Sequence, residues 1–204
     1  MSRRPPLDVF NDWAITGKDE GMEKNHKLSV NNMIKFSVNK LSSFTFLDAG
    51  CGNGWVVRKV SKLKHCNKSI GIDGSKKMIE KAKFVDKNNE YYCKNLLDWK
   101  PKTKIDLVHS MEVFYYFKNP KKLIEHIYLS WLKKNSRLII GLDYYYENKT
   151  SHSWPNDCGI SIMSLFPEKK WKNFFFEVGF KKIKSWKVGQ KKDWNGTLII
   201  TGIK

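Results

Sequence analysis

An α/β fold, with a mostly parallel sheet covered by helices on both faces, follows from three observations on this 204-residue chain. From residue 44 onward, short apolar runs alternate with helix-like segments. The first of these runs ends in a cluster of glycines, and the last two stand close enough to pair directly. Parallel strands need crossover connections, so the alternation places helices on both faces, and the final close pair adds an antiparallel edge.

The first 40 residues are polar, with an amphipathic pattern over residues 28–41 that predicts a helix. Phe44-Thr45-Phe46-Leu47-Asp48 reads as a buried strand ending in glycines. Helix 55–63, strand 69–73, helix 76–85 and the weaker strand 91–93 follow, then strand 105–109. A helix over 123–132 leads into strand 137–142, after which residues 143–165 are too irregular to form one element. Helix 171–178 closes on Gly179, a C-cap residue. Strands 182–188 and 197–201 complete the chain, joined by a turn near Asp193-Trp194-Asn195-Gly196. No repeat or linker divides residues 1–204, which are expected to form a single domain.

Composition narrows the function classes. The apolar fraction of 41% suits a folded core. No apolar run approaches the length of a membrane span, and the start Met1-Ser2-Arg3-Arg4-Pro5-Pro6 has no apolar stretch behind it, so neither insertion nor a secretory leader is expected. Four scattered cysteines, without a Cys-x-x-Cys pair, suit unpaired thiols in a reducing cytoplasm. A net charge of +18 invites a nucleic-acid partner, but 34 Lys against 4 Arg is a poor set for bidentate phosphate or guanine contacts. Nucleic acid stays open and is not favoured.

The chemistry begins where the first strand stops. Gly50-Cys51-Gly52-Asn53-Gly54 can turn sharply and let a ligand approach bare main chain. A dinucleotide fingerprint would need glycine at position 55, where Trp55 stands, and the Gly-Lys-Ser/Thr of a phosphate loop is absent. Asp73, at the end of the next strand, is 23 residues beyond Gly50. There a carboxylate can accept both hydroxyls of a ribose.

Four segments then resemble one family. Phe46-Leu47-Asp48-Ala49-Gly50-Cys51-Gly52-Asn53-Gly54 and Gly71-Ile72-Asp73-Gly74-Ser75-Lys76-Lys77-Met78-Ile79 look like the first two motifs of the class I methyltransferases that use S-adenosylmethionine (SAM). Residues 106–113 and 132–140 continue the likeness. The resemblance implies a Rossmann-like seven-stranded sheet with the last strand antiparallel, and SAM as cofactor. It gives Asp48, Gly50, Cys51, Gly52 and Gly54 to the methionine part, Asp73 and Gly74 to the ribose, and Met78, Asn95 and Leu96 to adenine. Asn95 departs from the family's usual Asp, with Asp98 as a substitute. Trp13, Met22 and Ser110 complete the implied cofactor contacts.

Residues 110–112 follow the fourth strand, where family members meet both cofactor and acceptor. The Asp/Asn-Pro-Pro-aromatic pattern of nucleobase amino-methylation is absent there. The neighbourhood resembles the quinone-biosynthesis O-methyltransferases and related small-molecule enzymes. Tyr115-Tyr116 replaces a Glu-His pair found in some of them, so no metal is expected. His26, Glu112, Tyr115 and Tyr116 are the expected catalytic set, with His26 as base and Glu112 orienting an amine or hydroxyl. Tyr115, Tyr116, Tyr144, His152 and Trp154 are the expected acceptor contacts. Residues 1–41 as a helical cover and 143–165 as an insertion would form a lid, which favours a small acceptor. RNA or protein methylation, or SAM binding without catalysis, are the alternatives.

Overall fold

The structure, a computed structural model, describes residues 3–39 and 41–204. Met1, Ser2 and Lys40 lie outside the described residues; they include two residues of the segment read for a leader and one of the helix expected over 28–41. Seven strands form one sheet: β1 (Phe44–Ala49), β2 (Cys66–Asp73), β3 (Glu90–Cys93), β4 (Ile105–Met111), β5 (Leu132–Leu142), β6 (Lys181–Val188) and β7 (Thr197–Ile203). Their order is β3-β2-β1-β4-β5-β7-β6. The first five are parallel, while β7 runs antiparallel to both β5 and β6. This is the Rossmann-like arrangement the motifs imply.

The helices are α1 (Pro6–Thr16), α2 (Glu20–Val38), α3 (Trp55–Ser61), α4 (Lys76–Val85), α5 (Pro120–His126), α6 (Trp154–Asp157) and α7 (Glu168–Val178). Side chains alternate across a strand. Phe46, Leu107, Ile139 and Ile199 therefore pack beneath Val30, Met33 and Ile34 of α2 and Val56 and Val60 of α3. Their neighbours Leu47, Val108, Leu138, Ile140 and Ile200 face the other way, onto Leu123 of α5 and Trp171 and Phe175 of α7. None of the described helices is long and apolar enough to cross a membrane.

Three elements depart from the sequence reading. Residues 6–38 form two helices rather than one late helix, because Pro6 opens α1 and Gly17, at φ 75°, closes it. A π-helical turn over Ile127–Trp131 continues α5 toward β5. Strand β5 begins at Leu132, five residues earlier than expected, with its first residues largely exposed.

Candidate active site

The carboxyl ends of β1, β2 and β4 open on a cavity of about 1000 Å³. Open parallel sheets place ligand crevices at this edge, where the strand order reverses. One end is the turn after β1. Gly50, Gly52 and Gly54 all have positive φ, at 77°, 52° and 79°. Their surroundings differ. A Cβ on Gly50 would fall 2.2 Å from Val113, and one on Gly54 would fall 2.6 Å from the Tyr91 ring. At Gly52 nothing lies nearer than the Met22 methyl, 3.7 Å away, so this glycine bares main chain to the cavity.

Asp73 braces the turn. It accepts the Gly52 N–H at 2.9 Å and the Ser75 N–H at 2.7 Å, and it lines the cavity with Gly74 and Met78. Burial raises its carboxyl above the usual range, against those two donors. A second brace comes from Asp19, fully buried between α1 and α2 and unmarked in the sequence reading. It accepts from the Asn53 amide and from Lys81 Nζ, each at 2.8 Å. Asn95 and Leu96 also reach the wall. The Asn95 amide is engaged, donating to Asp98 at 2.7 Å while its oxygen accepts the Leu97 N–H.

The opposite end is made of side chains. Glu112, just past β4, holds φ 60°, a left-handed backbone uncommon outside glycine. One of its oxygens accepts the Asp143 N–H and the other accepts the Tyr115 hydroxyl, both at 2.5 Å. The Tyr116 hydroxyl is 3.4 Å from that of Tyr115. His26 reaches in from α2, with Nε2 3.6 Å from Asp143 Oδ2. Ligand-capable atoms of His26, Glu112 and Asp143 all lie within 4.8 Å of one another. Burial raises the Glu112 and Asp143 carboxyls, and for Glu112 the neighbouring Asp143 charge adds to it. Burial lowers the His26 imidazole, partly offset by Asp143. Phe10 and Trp13 of α1 complete an aromatic wall, with Phe10 edge-on to both Trp13 and Tyr116.

The cover is a seam between the N-terminal segment and the insertion. The Arg4 N–H donates to the Gly159 carbonyl and the Ser161 N–H to the Arg4 carbonyl, both at 2.8 Å. Trp154 and Cys158 carry the insertion onto the cavity wall.

Six residues singled out from the sequence are not on that wall. Asp48 is buried in β1, 2.7 Å from His109 Nδ1, and Ser110 donates to the Ala49 carbonyl at 2.6 Å; both are directed into the sheet edge. Cys51 packs with Val57 and Ile79, and the Tyr91 ring covers Gly54. Tyr144 is buried against Tyr115, while His152 Nε2 lies 3.0 Å from the Tyr146 carbonyl. In place of these last two, the structure brings Asp143, Asn25, Phe10 and Lys18 to the site or its wall. The acidic residue that begins the insertion was the visible mark of Asp143.

The model of the methyltransferase domain family matches residues 22–185. The chain belongs to that family. The chain is 29% identical over 157 residues to the ubiquinone biosynthesis O-methyltransferase of Pelagibacter ubique, covering 68% of this chain and 62% of that one. It is 25% identical to the putative methyltransferase 235L of invertebrate iridescent virus 6, covering 83% and 59%. The chain therefore spans about three fifths of the length of these curated relatives. Its fold is similar to a chain of the complex between the Haloferax volcanii Trm112 methyltransferase activator and a putative methyltransferase, with a TM-score of 0.78, 24% identity and 99% of each chain covered. It is also similar to Synechocystis magnesium protoporphyrin IX methyltransferase with bound SAM, at a TM-score of 0.66 and 16% identity over 91% and 82% of the two chains. The fold is that of the class I SAM-dependent methyltransferases.

Proposed function

We propose that this chain transfers a methyl group from SAM to an oxygen or nitrogen of a small molecule. The observation that carries the reading is one cavity with two unlike ends, bare main chain at Gly52 and buried acid-base groups at His26, Glu112 and Asp143. A volume of about 1000 Å³ is at the top of the range for single-ligand pockets, roughly 300–1,000 Å³, and leaves room for a cofactor and an acceptor together.

SAM supplies an electrophilic methyl on a sulfonium sulfur when it is bound. Gly50 and Gly52 admit its amino-acid part to the main chain, Asp73 and Gly74 take the ribose, and Met78, Asn95 and Leu96 bound the adenine. Trp13 and Met22 close over the turn from the N-terminal side. Asp48, Cys51, Gly54 and Ser110 act from behind, by fixing the strand ends and the turn that present those contacts. Direct displacement asks the protein to align acceptor and methyl and to keep water out. Tyr116, Trp154 and Phe10 give the acceptor an aromatic bed, Glu112 orients its hydroxyl or amine, and His26 with Asp143 receives the proton that leaves it.

A small acceptor is favoured over RNA or protein by the wall itself, where the lysines are Lys18 and Lys94 and aromatic and aliphatic groups predominate. The share of sequence held in common with an O-methyltransferase of ubiquinone biosynthesis supports an oxygen acceptor ahead of a nitrogen one. The test has two arms. Calorimetry with SAM and its demethylated product is expected to give saturable binding, and no binding at high micromolar ligand would refute the cofactor. Mass spectrometry of a metabolite extract incubated with enzyme and SAM is expected to find gains of one methyl; transfer to RNA or protein alone would refute the acceptor class.

A further inference from the structure

We infer that His26, Glu112 and Asp143 form a binding site for one divalent transition-metal ion at the acceptor end of the cavity. The ligand set converges from three separate elements: α2, the residue after β4 and the residue after β5. One atom from each falls within 4.8 Å of the others, near enough for a single ion to reach all three after a small contraction.

The hydrogen bonding leaves Asp143 short of partners. His26 Nε2 is directed at Asp143 Oδ2. The 3.6 Å gap between Nε2 and Oδ2 is too long for a hydrogen bond. Asp143 is 5% exposed, and its Oδ1 is buried with no hydrogen-bond partner. Glu112 has a different status. The Asp143 N–H and the Tyr115 hydroxyl fix its two oxygens in place and still leave each a free lone pair, the arrangement by which outer hydrogen bonds orient metal ligands.

Charge argues the same way. In a chain of net charge +18, no lysine or arginine pairs with Glu112 or Asp143 among the described residues, and Asp143 is flanked by the His26 imidazole and the Glu112 carboxyl. Buried carboxylates are paired or coordinate metals. One imidazole nitrogen with two carboxylate oxygens suits zinc, manganese or ferrous iron, whereas calcium and magnesium favour oxygen alone. The corner is not the Glu-His pair whose loss at Tyr115-Tyr116 removed the sequence-based reason to expect a metal, so the ion would be held by a different set. Metal binding itself needs no methyl transfer; only its place beside an acceptor rests on the proposed function. There the ion would acidify an acceptor hydroxyl, whose proton leaves to solvent before methyl transfer, and His26 would hold the ion in place of taking that proton.

The test is a titration of the chelator-treated full chain with Mn²⁺, and separately with Zn²⁺, by calorimetry. One saturable ion per chain is expected, with His26→Gln and Asp143→Asn each weakening it by about tenfold or more and His65→Ala leaving it unchanged. Calorimetry with SAM and circular dichroism on the same samples show that each variant is folded. Absence of saturable Mn²⁺ and Zn²⁺ binding by a folded, SAM-binding wild type would overturn the metal site and leave the methyltransferase reading standing. Equal Mn²⁺ affinity in wild type and in folded His26→Gln and Asp143→Asn would overturn it too, as surface binding. Saturable binding of ethylammonium instead, lost in Asp143→Asn, would make the corner an ammonium pocket and likewise refute the ion.

Discussion

The glycine-turn end and the Glu112 end of the cavity solve the problem of a ligand site with different materials. At the turn, main chain and small residues leave space, and the side chains nearby serve mostly as braces: Asp73 and Asp19 accept four donors between them. At the other end three ionisable side chains from distant parts of the chain meet in a buried corner with few partners of their own. The contrast teaches that the first end depends on local backbone geometry, and the second on long-range assembly.

The largest effect that would sharpen this comparison is expected at Gly54. Alanine there must hold a left-handed backbone and enter the Tyr91 ring, which together cost roughly 2–5 kcal/mol. Gly54→Ala is thus expected to lower the melting temperature and remove SAM binding together. Gly52→Ala, where space is open, should lose SAM affinity with a stability loss of only about 1–2 kcal/mol. Equal melting losses in the two variants would break the distinction between bracing and ligand-facing glycines.

Next in size, Glu112→Gln is expected to cut turnover by roughly 10²-fold, the scale of a lost positioning contact, while SAM affinity changes only a few-fold, measured by single-turnover kinetics and calorimetry. A parallel loss of SAM affinity would merge the two ends into one. Asp73→Asn should do the reverse, weakening SAM by about 1.5–3 kcal/mol, the worth of hydrogen bonds to a charged group. Its pH dependence has a definite sign. Burial raises the Asp73 carboxyl, and the proposed ribose contacts would use its ionised form, so SAM affinity should fall as the pH drops, beginning above the range of an ordinary aspartate. The smallest effect belongs to His152→Ala. That ring is away from the cavity wall, and turnover within about twofold of wild type is expected.

Legibility followed the same division. The turn was readable because its glycines, Trp55 and Asp73 are set by local strand–turn–helix geometry and a fixed spacing. All seven strands were found in place, since short apolar runs between turns mark them, but β2 and β5 begin three and five residues earlier than read because their first residues are largely exposed. Helix α1 was missed although Pro6 and Gly17 mark its ends, because its polar face is turned to solvent and its apolar residues serve a cavity rather than a core. Asp143 was seen as the start of an insertion but not as a partner of Glu112. The pair is 31 residues apart, and only the parallel register of β4 and β5 brings their ends together. Tyr144 was misjudged for the opposite reason: adjacent residues leave a strand end in opposite directions, and the tyrosine turned into the core.

The seam at Arg4 has a bearing on time as well as shape. Two main-chain hydrogen bonds, each with a net worth of about 0.5–1.5 kcal/mol, join the N-terminal segment to the insertion. Joints held largely by hydrogen bonds near the surface lie at the low-stability end of a fold, so amide exchange at Arg4 and Ser161 is expected to be faster than in the core strand β1. Side-chain changes at Arg3, whose guanidinium holds Asn156, would loosen the same joint without touching a reacting atom.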